Sequence, residues 1–262
     1  MKAKEEQALL SYFQGKPAFS REDLYHYFVE REGDLNRGTL GWRIYDLKKA
    51  GLIHEIKRGW YATQSNKEMF APEANTTVQR IAALINQNYQ RLDYCVWDMN
   101  WLNHFTELQY YKETYIVEVE KDMQSTVAVT LSDNGFAHVS WLPWSEQFSL
   151  IHATDTITIL PLITRSPLRE QTSKEGKKII IPSLEKILVD IFRETKVFYF
   201  LQGTELENIY RNAINRYAIN FTTLFAYAKR RGKAKAIYEL IEKLDLIPPA
   251  FKKRNNDQST LL

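Results

Sequence analysis

A chain of 262 residues with 44% hydrophobic and 26% charged residues has the composition of a globular protein, not a disordered one. Its 35 basic and 32 acidic residues leave a net charge of only +3, so any nucleic-acid-binding surface must be local. The single cysteine excludes an intramolecular disulfide, and no Cys/His cluster has the spacing of a zinc site. The N-terminal segment lacks the apolar stretch of a signal peptide, and no apolar run is long enough for a membrane helix. We therefore expect a cytoplasmic protein without a metal or cofactor.

The first 63 residues have the pattern of a winged helix-turn-helix. Apolar residues three or four apart predict three helices, over 2–13, 20–33 and 36–51. Ser20 and Asn36 are the predicted N-caps of the second and third helices. Two segments rich in β-branched and aromatic residues, 52–57 and 60–63, are separated by Arg58 and Gly59 and predict a two-stranded wing.

The remainder of the chain predicts a second domain, which makes the whole protein α+β. The predicted parts are a winged helix-turn-helix over 1–63, a linker over 64–75, an α/β domain with a helical C-terminal portion over 76–250, and a mobile tail over 251–262. Strands are expected near 93–97, 115–119, 137–142, 156–163 and 178–181. Helices are expected near 76–89, 101–107, 123–132, 184–193, 205–216, 221–229 and 233–244. The polar segment 169–177 predicts an exposed loop.

The third helix is the candidate DNA-recognition helix, because burial of its apolar face leaves polar and aromatic side chains outside. The candidate DNA-binding residues of this helix and the wing are Arg37, Thr39, Trp42, Arg43, Lys48, Lys49, Lys57 and Arg58. We expect Arg43 to contact base edges and the lysines, with Arg58, to contact phosphates. The alternative is a basic face that contacts a protein instead of DNA.

Trp42 has three interpretations. On an outward helix face its ring is suited to a thymine methyl group or to a protein partner. It is equally suited to packing against Trp60 and Tyr61 of the wing, which is the ordinary role of a tryptophan.

The second domain contains residues that suggest a nuclease only weakly. Asp98, Glu118 and Glu120 lie near predicted strand ends, where clustered carboxylates would hold Mg²⁺ beside a phosphate. The lysine usually found two residues after such an acidic residue is absent, since Lys121 is one position too far along. The sequence also lacks a phosphate-binding glycine loop and a nucleophile elbow. We therefore expect no catalytic activity.

A second basic run lies at a predicted helix–helix junction and is a candidate partner surface. Its residues are Lys229, Arg230, Arg231, Lys233 and Lys235. Part of the run has a structural explanation, because cations near a helix C-terminus are favoured by the helix dipole. A solvated face, an acidic protein partner and nucleic acid all remain open.

Three segments of the sequence resemble the AbiEi-type antitoxins of bacterial abortive-infection systems. They are the wing segment Ile56–Tyr61, the strand Thr156–Ile163 with the following Thr164–Pro167, and Ile181–Phe192, which is similar to the family's Pro-x-x-Glu-[Lys/Arg]-x-Leu-Val-Asp pattern. The resemblance implies a cytoplasmic, non-catalytic protein that represses its own operon by binding double-stranded operator DNA through the winged helix. It also implies that the C-terminal region counteracts a cognate nucleotidyltransferase-like toxin, without a need for stable direct binding. The basic run at 229–235 is then a candidate antitoxicity surface.

The sequence therefore predicts an antitoxin of a type IV toxin–antitoxin system that regulates its own promoter. The competing hypothesis is a Mg²⁺-dependent nuclease, or another defence effector, with a winged-helix targeting domain.

Overall fold

The computed structural model describes residues 3–14, 16, 18–63, 67–107, 109, 112–141, 156–173, 176–248 and 251. Backbone proximity divides the chain into two compact units. The terminal unit contains both ends of the chain, Met1–Met69 and Ile214–Leu262, and the central unit is Phe70–Ala213. Each combines helices with short strands, so the predicted α+β class is confirmed.

The N-terminal part of the terminal unit has the element order expected of a winged helix. Its elements are α1 (Ala3–Tyr12), β1 (Phe19–Ser20), α2 (Arg21–Glu32), α3 (Arg37–Lys49), β2 (Ile53–Lys57) and β3 (Trp60–Thr63). The strands form an antiparallel sheet in the order β1-β3-β2, and the hairpin of β2 and β3 is the predicted wing. Strand β1 was not predicted, because two residues are too few to show a period.

Local signals explain where α2, α3 and the wing turn begin. The Asp23 N–H donates to Ser20 Oγ at 3.1 Å, and the Ser20 N–H donates to the Asp23 carboxylate at 2.6 Å, which closes a capping box. The Asn36 side chain accepts a hydrogen bond from the Gly38 N–H at 2.7 Å. Gly59 has a φ of 75°, in the left-handed region that favours glycine, and the wing turns there.

These helices and strands enclose one apolar cluster. Helix α3 contributes Leu40, Ile44 and Leu47, as its spacing predicts. The other members of the cluster are Leu9, Phe13, Phe19, Leu24, Tyr27, Phe28, Leu35, Ile53 and Tyr61. Burial of Leu40, Ile44 and Leu47 fixes which face of α3 points away from the cluster.

Helices from the C-terminal end of the chain complete the terminal unit. They are the last turn of α7 (Thr204–Arg216), α8 (Phe221–Arg230) and α9 (Ala234–Lys243). The backbone of Glu68 donates to the Arg216 carbonyl and accepts from the Ala218 N–H, each at 3.0 Å. Helix α8 packs against β2, and Thr222 Oγ1 donates to the Ile56 carbonyl at 3.4 Å. Ile56 is consequently buried although it is outside the apolar cluster.

This grouping differs from the sequence interpretation, which assigned all of 76–250 to one domain. Residues Glu68 and Arg216 are 148 positions apart and still form an ion pair at 3.2 Å. The sequence pattern shows which face of a helix is apolar but not which distant segment covers it. The polar stretch after the wing therefore indicated a boundary. It did not indicate that a helix from the C-terminal end of the chain packs against the wing.

The central unit is built on a four-stranded mixed sheet. Its elements are α4 (Thr76–Asn88), β4 (Tyr94–Asp98), β5 (Thr114–Val119), α5 (Gln124–Asp133), β6 (His138–Ser140), β7 (Thr156–Pro161), β8 (Leu168–Thr172), β9 (Lys178–Pro182) and α6 (Leu184–Arg193). The sheet order is β4-β5-β7-β6, with β4 antiparallel to β5 and the other pairs parallel. Strands β8 and β9 form a separate antiparallel hairpin.

One local prediction for the central unit was wrong. Most of β8 lies in the segment 169–177, which its polar composition predicted to be a loop. Its side chains are exposed or half-buried, so the strand has no apolar alternation to reveal it. The helix predicted near 101–107 is present as a 3-10 helix that begins and ends earlier, over Met99–His104.

Some predicted features lie outside the described residues. These are the start of the linker at 64–66, the end of the strand predicted over 137–142, and the tail after Phe251. Within the described part of the chain, no helix combines the length and the apolar character needed to cross a membrane.

Candidate nucleic-acid interface

The face of α3 opposite the apolar cluster carries two exposed aromatic rings. Trp42 is 73% exposed and Tyr45 is 57% exposed, and their rings meet edge to face with centroids 6.4 Å apart. Thr39, Asp46 and Lys49 are exposed on the same helix. Spacings of three and four residues place Thr39, Trp42, Tyr45 and Lys49 along one stripe.

Of the three interpretations of Trp42, packing against the wing was wrong. Among the described rings, the one in contact with Trp42 is Tyr45, not Trp60 or Tyr61. Tyr61 faces inward, is 4% exposed and lies near Phe19. Trp42 is therefore available to an external partner, and Tyr45, which the sequence analysis did not select, is available beside it.

Arg43 faces α2, whereas the sequence analysis placed it on the outward face of the helix. Both terminal nitrogens of its guanidinium donate to the carboxylate of Glu32, one of them at 2.6 Å. The guanidinium carbon lies 4.7 Å from the ring centre of Phe28, and 31% of the side chain is exposed. The hydrogen bonds from Arg43 lower the pKa of Glu32. Arg43 thus connects α3 to α2, and both terminal nitrogens of its guanidinium already donate to Glu32.

Arg37 is also held by α2. Its guanidinium donates to both carboxylate oxygens of Glu22, at 3.1 and 3.3 Å, and lies 5.0 Å from the ring centre of Tyr25. The side chain remains 69% exposed. Because the ion pair is solvated, its contribution to stability is small, and Arg37 can exchange Glu22 for a phosphate at little cost.

The two adjacent lysines at the end of α3 differ in their surroundings. Lys48 Nζ donates to the Glu55 carboxylate at 2.9 Å and so connects α3 to β2. Burial opposes ionisation of Glu55, but hydrogen bonds from Lys48 and the Gly59 N–H outweigh it and lower the pKa. Lys49 is exposed, and no carboxylate among the described residues forms an ion pair with it. Lys49 is therefore the better candidate for a phosphate contact.

The tip of the wing carries two further cations. Lys57 and Arg58 are both exposed, and Lys57 Nζ lies 5.4 Å from the ring centre of Phe251. With Lys49, they supply the positive charge that phosphate binding requires.

The second basic run forms the turn between α8 and α9. The backbone N–H groups of Arg231, Gly232 and Lys233 donate to the last carbonyls of α8 at 2.8 to 3.0 Å. Lys229, Arg230 and Lys235 are exposed, whereas Arg231 and Lys233 are half-buried. The cations thus cluster at the C-terminus of a helix, where the dipole stabilises them, and this explains part of the run.

The carboxylates considered for a nuclease do not form one cluster. In the register of β4 and β5, Asp98 is opposite Tyr115 and Cys95 is opposite Glu118. The two carboxylates are therefore about 10 Å apart along the sheet. Glu120 is exposed just beyond the end of β5.

The two buried carboxylates each have protein partners. Asp98 accepts from Asn75 Nδ2 at 2.7 Å and from the Asn100 N–H at 2.8 Å, and burial raises its pKa. Glu118 accepts from Lys186 Nζ at 2.5 and 2.6 Å, and Lys186 also reaches Asp190 at 2.5 Å. The sequence signal for this buried trio is the i, i+4 spacing of Lys186 and Asp190 among the apolar residues of α6. In the described part of the chain, no group of three or more His, Cys, Asp or Glu residues is placed to hold a metal ion.

Comparison with known families places most of this chain in one of them. The family model that matches is described as a family of unknown function, DUF6577, and it matches residues 39–246. That range includes most of α3, the wing and the whole central unit. No curated protein matches the chain.

Proposed function

We propose that this chain, which belongs to the DUF6577 family of unknown function, is a transcriptional regulator that inserts the exposed face of α3 into the major groove of duplex DNA. The observation that carries the proposal is the stripe of Thr39, Trp42 and Tyr45 on a helix whose opposite face is buried. The major groove accommodates one α-helix, and recognition helices of this kind present such a stripe to base edges.

The distribution of charge supports the same docking. Lys49 at the end of α3 and Lys57 and Arg58 at the wing tip are exposed cations that can neutralise phosphates beside the groove. Arg43, which was expected to contact base edges, is bonded to Glu32, so the exposed stripe of α3 takes that place in the proposal.

Within this role, we propose that the protein is a cytoplasmic antitoxin that represses its own operon and counteracts a nucleotidyltransferase-like toxin. The support is the resemblance to AbiEi-type antitoxins at three segments. The most specific of them, Ile181–Phe192, ends in α6, whose Ile187, Leu188 and Ile191 are buried. The toxin-directed activity is assigned to the central unit, where this segment lies.

DNA binding is tested with the full chain and a labelled duplex from the region directly upstream of its gene. A scrambled duplex of the same base composition is the control. We expect tighter binding to the upstream duplex and, for three phosphate contacts, a slope of log K against log[salt] of about −3. Equal affinity for both duplexes, or a slope near zero, would overturn the proposal.

The antitoxin proposal requires a nucleotidyltransferase-like gene beside the gene of this chain, and it is tested by co-expressing the two. We expect the full chain to restore growth. Trp42→Ala should also restore growth while losing repression of a promoter fusion, because Trp42 is exposed in the terminal unit. Failure of the full chain to restore growth would exclude the antitoxin role and leave the DNA-binding role standing.

The nuclease hypothesis predicts a different result in a separate assay. Mg²⁺-dependent cleavage of plasmid DNA or RNA by the purified chain, lost in Asp98→Asn, would show that the protein is an enzyme. We expect no cleavage by either protein.

A further inference from the structure

The arginines of α3 are engaged in ways that limit what this helix recognises. A guanidinium that donates to guanine O6 and N7 is the commonest base-specific contact in the major groove. The guanidinium groups of both arginines of α3 already donate two hydrogen bonds to a carboxylate of α2. Arg37 donates to Glu22 and Arg43 donates to Glu32. Guanine recognition by Arg43 would require breaking a two-bond ion pair and leaving the Phe28 ring. Arg37 has a more exposed pair that opens at little cost, but it is the first residue of α3, five positions before Trp42.

The most exposed groups on the helix are aromatic. Trp42 and Tyr45 exceed half exposure, at 73% and 57%, in the middle of α3. Thymine is the base that presents an apolar group, its C5 methyl, at the edge of the major groove. We infer that Trp42 and Tyr45 recognise thymine C5 methyl groups, an inference that rests on the DNA-binding function proposed above.

The spacing of the two rings predicts how many thymines are contacted. Residues three apart on a helix are about 4.5 Å apart along its axis. Successive bases along one DNA strand are about 3.4 Å apart. The edge-to-face contact between the rings keeps them side by side, so each ring faces a different base. The site therefore contains two neighbouring thymine methyls.

Duplex DNA is favoured over a protein as the occupant of this aromatic pair by the charges around it. Lys49 lies four residues after Tyr45 on the same stripe, and it has no ion-pair partner among the described residues. Two further cations, Lys57 and Arg58, are exposed at the wing tip. This combination of an apolar centre with cationic flanks matches a groove floor with methyl groups between two phosphate backbones.

The experiment removes the methyl groups without changing base pairing. A randomised duplex library is enriched with the full chain, and the enriched duplex is resynthesised with each thymine replaced in turn by uracil. We expect about a fourfold loss of affinity at each of two neighbouring positions, which is equivalent to about 0.8 kcal/mol for one buried methyl group. Uracil at the other positions should leave the affinity unchanged.

Variants assign the effect to the two rings. Trp42→Ala and Tyr45→Ala should each abolish the loss of affinity that uracil causes at one of the two positions. Tyr199→Ala removes a tyrosine of the central unit that is 41% exposed, and it should leave both effects in place. An unchanged midpoint of thermal unfolding shows that the variants remain folded.

The possible failures are distinguishable. If no duplex is enriched, the DNA-binding function itself is wrong, and the aromatic pair is a surface for a protein partner. If a duplex is enriched but no thymine is sensitive to uracil, only the methyl recognition is wrong. Loss of preference for a guanine in Arg43→Ala would likewise overturn the inference, since it would show that the arginine leaves Glu32 to contact a base.

Discussion

Two regions of the molecule hold cations against carboxylates in opposite surroundings. In the terminal unit, Arg43 and Glu32 pair at the surface with 31% and 41% of their side chains exposed. In the central unit, Lys186 is fully buried and lies 2.5 Å from oxygens of both Glu118 and Asp190. Water can replace a lost partner in the first region but not in the second.

The difference indicates what each arrangement does. The surface pairs of the terminal unit cost little to form and orient α3 on α2, which leaves Trp42 and Tyr45 outward. We expect the buried trio to contribute specificity, because Lys186 on α6 has both carboxylate partners only when Glu118 of β5 lies against it. Surface pairs should therefore tolerate substitution, and the trio should not.

The largest expected effect is that of Lys186→Met. This variant removes the cation that hydrogen-bonds to the buried Glu118 and Asp190, and we expect it to lower the free energy of unfolding by about 3 to 5 kcal/mol. Urea unfolding followed by tryptophan fluorescence, to which the buried Trp97 and Trp101 contribute, measures it. Replacing all three members by apolar residues, as Lys186→Met with Glu118→Met and Asp190→Leu, should recover most of the loss. A single variant with wild-type stability would show that the trio is not held as the structure shows it.

His54 extends the comparison to a half-buried group with no carboxylate partner among the described residues. Burial, followed by the charge of Lys67, lowers its pKa to about 4, and no described residue hydrogen-bonds to its Nδ1. Below the ordinary pKa of about 6.5, the unfolded chain binds a proton that folded His54 does not. Neutral His54 therefore contributes fully to the free energy of unfolding above pH 6.5. This contribution is lost as the pH falls towards 4, by at most about 3 kcal/mol.

The measurement for His54 is the free energy of unfolding at neutral pH and near pH 4.5. We expect His54→Phe to reduce the difference between the two values, because phenylalanine does not titrate. His26→Gln is the control, since the His26 side chain is 64% exposed. Equal pH dependence in His54→Phe and wild type would contradict the prediction.

A smaller effect is expected when Arg43 is replaced. Arg43→Ala removes a partly exposed ion pair and a cation–π contact, which together contribute about 1 kcal/mol to stability. Binding to upstream and scrambled duplexes should weaken by the same small factor, because the residue orients α3 and contacts no base. Trp42→Ala should give the opposite pattern, with unchanged stability and loss of preference for the upstream duplex. A selective loss of preference in Arg43→Ala would contradict this assignment.

Periodicity and capping signals were sufficient to predict α3. Asn36 caps it, and Leu40, Ile44 and Leu47 are buried, as expected. The direction of Arg43 was not predictable in this way, because it depends on Glu32 at the end of another helix. The same limit applies to the C-terminal helices and to Lys186: each is determined by a partner distant in sequence. The sequence therefore predicts which helix carries the exposed stripe, but not the contacts of its individual side chains.

The smallest effect compares two adjacent lysines that the sequence alone could not distinguish. Lys49 is exposed without an ion-pair partner among the described residues, whereas Lys48 donates to Glu55 at 2.9 Å. Lys49→Ala should make the salt slope of DNA binding shallower by about one and leave stability unchanged, because one phosphate contact is lost. Lys48→Ala should lower stability by about 0.5 kcal/mol, since it breaks an exposed pair, and it should change the salt slope less. Titrations of both variants at several salt concentrations, with urea unfolding of each, separate the two roles. If both variants change the slope equally, Lys48 exchanges Glu55 for phosphate on binding, and the exposed ion pairs of this helix form part of the DNA-binding surface.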